Sequence, residues 1–371
     1  MAGKKNSFFL RVSNCVRRHG KASVIAPAML RESTYPHPRT RLKLTCLFNL
    51  AHHPFPMDLF AILLTVSGLV LFESITSIDN AVINAEVLNK MSKQARRWFL
   101  TFGLVIAVFV VRGVLPLLIV WAANPALGPE GAFFATMSSD PAVASAVEQS
   151  APILLAGGGV FLIFLFFHWL FLEPKSFGLH PERFFQKQGV WFYAVVSILL
   201  TLIVWFAMEK NAMMAFGAVV GSTAFFITHG FKQNAEQHEA QLLEGGSSSM
   251  GDWSKILYLE VIDSTFSVDG VVGAFAFTMS VPLILLGNGL GAVVVRELTI
   301  RNIETVKKYV YLKNGAMYSI FVLGIIMLAD AFGAHIPAYV SPIATFGCIG
   351  YFLWKSHEHI KAEAKKSQSA A

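Results

Sequence analysis

Two stretches of the chain repeat one pattern without a gap, and both offer groups that can bind a hard cation. Glu73-Ser74-Ile75-Thr76-Ser77-Ile78-Asp79-Asn80 and Asp263-Ser264-Thr265-Phe266-Ser267-Val268-Asp269-Gly270 share the form acid-Ser-x-x-Ser-x-Asp-small/polar. The donors are all oxygen: the carboxylates of Glu73, Asp79, Asp263 and Asp269, the hydroxyls of Ser77 and Ser267, and the amide of Asn80. Such a set suits Mg²⁺, Ca²⁺ or Mn²⁺ over Zn²⁺ or Cu⁺. The two Asp, with Glu73 and Asp263, would neutralise a divalent ion, and Glu260, one turn before Asp263, extends the set. Both copies lie in apolar runs, where an acid at the centre of a membrane helix costs about 2.5–3.5 kcal/mol. Acids placed there require pairing, protonation or a bound metal.

The counter-charges follow each copy in the same order. Gly103 precedes Arg112 as Gly287 precedes Arg296, each time by nine residues. Arg112 and Arg296 are therefore the natural partners of the motif acids, either as permanent ion pairs or as guests that an arriving cation displaces. Arg296, near the end of its run, has the further option of snorkelling to the interface. The bland alternative for the whole motif is polar glue between helices. Helical phase puts Glu73, Ser77 and Asn80 on one face with Thr76 beside them, and Asp79 about 120° away from Glu73. Either the polar arc is wide or the helix unwinds near 79–80, with Gly270 at the matching place in the second copy.

The elements that must carry these residues are membrane helices. The 371 residues are 54% hydrophobic and only 14% charged, against about a quarter charged in soluble domains. Apolar runs at 57–88, 98–122, 151–173, 190–208, 211–230, 255–278, 280–298, 314–333 and 339–355 predict an all-α polytopic membrane protein of about nine crossings. The motifs fall in the first and sixth, which run in opposite directions, so the duplication is an inverted internal repeat, a common way of building a midplane site. Lys and Arg cluster in alternate loops, which places the N-terminus outside and the C-terminus in the cytoplasm. The organisation expected is a basic tail over 1–56, a first membrane half over 57–230, a cytoplasmic linker over 231–254 (with the flexible stretch 244–251), a second half over 255–357 and a cytoplasmic tail over 358–371.

The net charge of +7 comes from that first tail: residues 1–50 hold ten Lys or Arg and one acid, Glu32. A basic tail ahead of a membrane domain is no nucleic-acid face. It also contradicts the loop alternation, so 1–56 is read as the product of an upstream start, or as a segment cleaved after targeting. Cys15, Cys46 and Cys348 are isolated and frame neither a disulfide set nor a thiolate site. His168 and Trp169 read as an interfacial anchor near the end of the third run, followed by Glu173. Asp330 and His335 read as surface groups near an exit, and Glu209–Lys210 as a solvated loop. Gly157-Gly158-Gly159 lacks the Lys-Ser/Thr of a phosphate loop and predicts close helix packing. No nucleophile–base pair, zinc motif or nucleotide fingerprint occurs, so an enzyme and a bound cofactor are not expected.

The segments ESITSIDNAVINA, EVIDSTFSVDGVVGAFAF and YLKNGAMYSIFVLGIIMLAD resemble those of TerC-like integral membrane proteins, in particular the DUF475 branch, over roughly 57–357. That resemblance implies an association with tellurium resistance and, in some members, Mn²⁺ export from the bacterial cytoplasm. It further implies Asp79 and Asp269 as central ligands, with Glu73, Asn80 and Asp263 around them; Gly270 in place of a second Asn makes the set asymmetric. The expectation is an exporter of a divalent cation, Mn²⁺ first, acting by alternating access in the bacterial plasma membrane. The lipid bilayer and the cation are its partners, with room for a homo-oligomer. The alternative is a non-transporting membrane partner that anchors a stress-response complex.

Overall fold

The computed structural model describes residues 59–78, 81, 85, 87–88, 91–103, 105–106, 110, 112–135, 141–175, 177–244, 251–301 and 303–370. Asp79, Asn80, the expected unwinding at 79–80, the tail 1–56 and the Gly/Ser stretch 245–250 fall outside these residues. Regular structure among the described residues is helical throughout. The helices are α1 (Leu59–Thr76), α2 (Lys93–Trp98), α3 (Arg112–Ala123), α4 (Gly128–Phe134), α5 (Pro141–Leu172), α6 (His180–Gln186) and α7 (Phe192–Lys210). They continue with α8 (Ala212–Glu244), α9 (Asp252–Ala274), α10 (Val281–Arg301), α11 (Ile303–Lys307), α12 (Leu312–Ala331) and α13 (Val340–Ala370). Met57–Ala371 forms one compact unit.

Among the described residues six helical stretches are long and apolar enough to cross a membrane by length and composition: Leu59–Thr76, Gln149–Leu172, Gly189–Lys210, Ala212–Asn234, Val281–Leu298 and Leu312–Ala331. They match six of the nine expected crossings. Among the described residues the other three fall short in length or in composition. The second is divided between α2, a π-helical turn at Phe99–Gly103 and α3; the sixth, α9, holds Lys255, Glu260, Asp263 and Asp269; the ninth is the start of α13, which runs on into charged sequence. Large apolar side chains face outward, among them Val190 at 92%, Trp205 at 67% and Leu257 at 66% exposure. In water such a surface would drive association; on a multi-pass membrane protein it is the lipid face.

α5 is the spine, held between α8 and α12. Its three glycines make that possible. A Cβ on Gly157 would lie 2.8 Å from the Gly217 carbonyl oxygen of α8, and one on Gly159 would lie 3.0 Å from the Gly324 carbonyl oxygen of α12. The expected close packing is therefore present, with different glycines serving opposite neighbours. Phe166 stacks on Phe321 at 4.3 Å and seals the α12 side. Elsewhere α1 lies on α10, and α9 on α3. The structure lengthens two elements: α5 begins at Pro141 within the expected 123–150 loop, and α8 runs to Glu244 through most of the expected linker. The α8 extension holds no Gly or Pro after Gly230, so its helix continues past the apolar window, whereas α5 carries Pro152 at the junction and gives up one backbone bond there while staying helical.

Candidate functional site

Glu73 stands in the last turn of α1 and is 1% exposed, so its charge has to be met by protein. Arg112, the first residue of α3 and equally buried, meets it. Its Nε and Nη2 both donate to Glu73 Oε1 at 2.8 Å, and its Nη1 donates to Asp263 Oδ2 on α9 at 3.3 Å. Ser77 Oγ donates to the same Glu73 oxygen at 2.9 Å, which bears out the shared face read from helical phase. One guanidinium thus joins an acid from each copy of the motif. A planar fork of donors suits this task better than an ammonium would.

Glycines set how closely the helices approach this knot. A Cβ on Gly270 would lie 2.4 Å from Glu73 Oε2, and one on Gly291 would lie 2.7 Å from Glu73 Cβ. Gly270 is therefore the wall against which the Glu73 carboxylate rests. It does not mark a break, because α9 runs unbroken through Asp269 and Gly270 to Ala274, which in this copy removes the unwound helix from the two alternatives. Gly103, in the π-helical turn, and Gly287 have matching roles: a Cβ on the first would strike Glu260 Oε1 at 2.1 Å, and one on the second Leu69 Cβ at 2.5 Å.

Asp269 faces another way. Six residues beyond Asp263, it is turned by about 120° around the helix and meets Lys232 of α8, with Nζ 3.9 Å from Oδ2. The two line a small cavity with Thr228, His229, Thr265 and Phe161. Behind it the rings of His229 and His168 stand 3.7 Å apart. His168 is buried with no hydrogen-bond partner at Nδ1, and Trp169 is buried with Lys175 over its ring at 4.6 Å. Neither is the interfacial anchor expected; α8 covers His168, and the Lys175 side chain folds back over α5 to cap the carbonyls of Trp169 and Leu170. Just past α5, Glu173 pairs with Lys313 at 2.6 Å, and Lys232 also acts on it electrostatically.

The remaining expectations divide. Ser267 is buried, and its hydroxyl donates to the Asp263 backbone carbonyl at 2.6 Å, a back-bond within its own helix. Arg296 is half-buried, with Glu297 as the charge acting on it and no ion pair to Glu73, Asp263 or Asp269 among the described residues. Both Glu260 carboxylate oxygens are buried without a hydrogen-bond partner among the described residues. Asp330 accepts from the Ile336 amide at 3.2 Å and His335 is exposed, so both belong to the surface turn. Lys210 is tied down more firmly than a solvated loop implies, donating to the Phe332 carbonyl. Cys348 is a free thiol.

Four residues escaped sequence reading. Lys232 counted only as a loop charge, although it falls three residues after His229 on the same helical face. His229 itself carried no motif. Asn288, wholly buried with both amide atoms unpartnered, follows Gly287 in an apolar run; a lone amide in such a run was the available signal. Glu182, wholly buried, holds the Leu179 amide at 2.8 Å and Asn314 Nδ2 at 2.7 Å, pinning the connection after α5 to α12. Nothing local in the sequence marks it. Among the described residues no three His, Cys, Asp or Glu side chains gather closely enough to hold a metal; Asp79 and Asn80 are not among them.

Comparison with known proteins gives a consistent setting. Residues 78–363 match the family described as protein of unknown function DUF475. The uncharacterized membrane protein YceF of Bacillus subtilis (strain 168) is 29% identical over 85 residues, 23% of this chain and 33% of that protein. The matched part is thus about a third of that relative's length. No solved structure matches the chain.

Proposed function

The chain belongs to the DUF475 family, and we propose that it exports a divalent cation, Mn²⁺ first, by alternating access around its paired motifs. The observation that carries this reading is the meeting of Glu73 and Asp263 on one buried Arg112. Acids from both copies converge inside the helix packing, where charge is costly and is kept mainly for ion pathways. Asp269 lies on the same helix as Asp263, and the oxygen donors suit a hard cation. Cross-packing of α1 on α10 and α3 on α9, with α5 on α12, supports an inverted repeat: the first helix of each copy lies on the second helix of the other. Nine crossings, an outer N-terminus, a cytoplasmic C-terminus and a bacterial plasma membrane complete the proposal.

The test is elemental analysis of manganese-loaded cells that express wild type or the Asp79→Asn/Asp269→Asn double variant at equal membrane abundance. Lower manganese with wild type alone supports export through the paired acids. Equal content for manganese and the other divalent ions rejects it. That result would favour the second reading, a non-transporting membrane partner, to which the Arg112 knot also lends itself because it already neutralises two of the acids.

A further inference from the structure

Between α3, α5, α8, α9 and α12 lies a cavity of about 270 Å³ that none of the motif acids lines. Its floor is buried: Phe161 of α5, Phe275 at the end of α9 and Met327 of α12 are at most 3% exposed. Its mouth is one face of α8, where Met213, Phe216 and Val220 are 53%, 60% and 47% exposed. That face belongs to the apolar span Ala212–Asn234, so the cavity opens onto the lipid face. Glycines leave the space. Gly157 and Gly158 of α5 and Gly217 and Gly221 of α8 put bare backbone on the walls. They are also needed for the helix contact itself, since a Cβ on Gly217 would lie 2.5 Å from the Ile153 carbonyl oxygen.

We propose that this cavity is a lipid site, into which one acyl chain of a membrane phospholipid inserts from the lipid face. Among the described lining residues none has a charged, hydroxyl or amide side chain. A water held in a cavity needs about two to four polar partners, so this space does not suit water. Hydrocarbon suits it, because a chain restores the dispersion contacts that the walls of a void forgo. The bilayer supplies such chains at the mouth, already aligned with the helices. The inference stands apart from the export reading and touches it at one residue. Phe161 lines both this cavity and the small one beside Asp269, so the seated chain rests on a ring that also walls the charged cavity.

The experiment reconstitutes the full chain in phosphatidylcholine vesicles that include phosphatidylcholine with a diazirine near the end of one acyl chain. Illumination is followed by peptide mass spectrometry. Adducts are expected on Phe161, Phe275 or Met327, which lipid around the bundle does not reach, and on the exposed Leu202 and Phe206 of α7. Val220→Trp obstructs the mouth, loses the buried adducts and keeps those on α7. Ile198→Trp, on the exposed face of α7 and away from the cavity, keeps both sets. Wild-type labelling confined to exposed residues overturns the proposal, and it decides the matter even if Val220→Trp does not fold. Buried adducts that survive in folded Val220→Trp overturn it as well. Labelling of the floor by a free fatty acid with the same diazirine, but not by the phospholipid, overturns the phospholipid assignment.

Discussion

Arg112→Gln tests whether the two motifs share one electrostatic unit. In the native protein Glu73 Oε1 accepts from Arg112 Nε, Arg112 Nη2 and Ser77 at 2.8, 2.8 and 2.9 Å. The substitution leaves a carboxylate that is 1% exposed with Ser77 as its remaining strong donor, and it strips Asp263 of its guanidinium. Breaking one side of such a pair costs about 3–5 kcal/mol, most of it the penalty of a buried uncompensated charge. Glu73→Gln, which strands the guanidinium, costs a similar amount. The double variant leaves no charge stranded at position 73, though Asp263 still lacks its guanidinium; it costs about as much as either single change, so the coupling is about 3 kcal/mol, at the upper end for interacting neighbours. Asp263→Asn combined with Arg112→Gln couples less, about 1 kcal/mol, because that contact is longer and Asp263 is partly exposed. The assay is equilibrium unfolding by sodium dodecyl sulfate in mixed micelles, run as a double-mutant cycle. Additivity of Glu73→Gln and Arg112→Gln within about 0.5 kcal/mol would refute the knot as a cooperative element.

Two further substitutions test the frame by the same titration. Gly221→Ala places a Cβ 2.0 Å from the Gly157 carbonyl oxygen, a backbone atom that cannot swing aside, so α5 and α8 must separate at a cost of about 3 kcal/mol; Gly347→Ala, with open space around it, serves as the neutral control. Equal midpoints for the two would contradict the helix contact. Glu182→Ala orphans the Leu179 amide and Asn314 Nδ2 and costs about 2 kcal/mol; an unchanged midpoint would mean that the connection after α5 is not anchored there.

The sequence made visible what depends on local composition. Apolar length located the six helices long and apolar enough to cross a membrane, and helical phase placed Ser77 beside Glu73. The nine-residue spacing singled out Arg112 because a charge in an apolar run must answer another. Spacing could not separate Arg112 from Arg296, since their partners are fixed by which helices touch. Gly270 was open to misreading for the same reason. From the sequence it is an acid-motif position without a side chain, whereas in the fold it is the surface that receives Glu73 from α1. Lys232 and His168 were hidden by the extent of α8, which leaves the apolar window at Asn234 and continues as helix to Glu244. A residue read as a loop charge thereby becomes one held against a membrane acid.

The two cations hold their acids differently. Arg112 bonds through a planar fork to the buried Glu73 and the partly exposed Asp263, and withdrawing it would strand Glu73; it suits the frame. Lys232 approaches Asp269 at 3.9 Å from a partly exposed position, a longer contact than the guanidinium makes. The asymmetry between the motif copies then has a physical basis. Gly270 gives Glu73 room to be fixed by Arg112, while its neighbour Asp269 points the other way, towards Lys232 of α8.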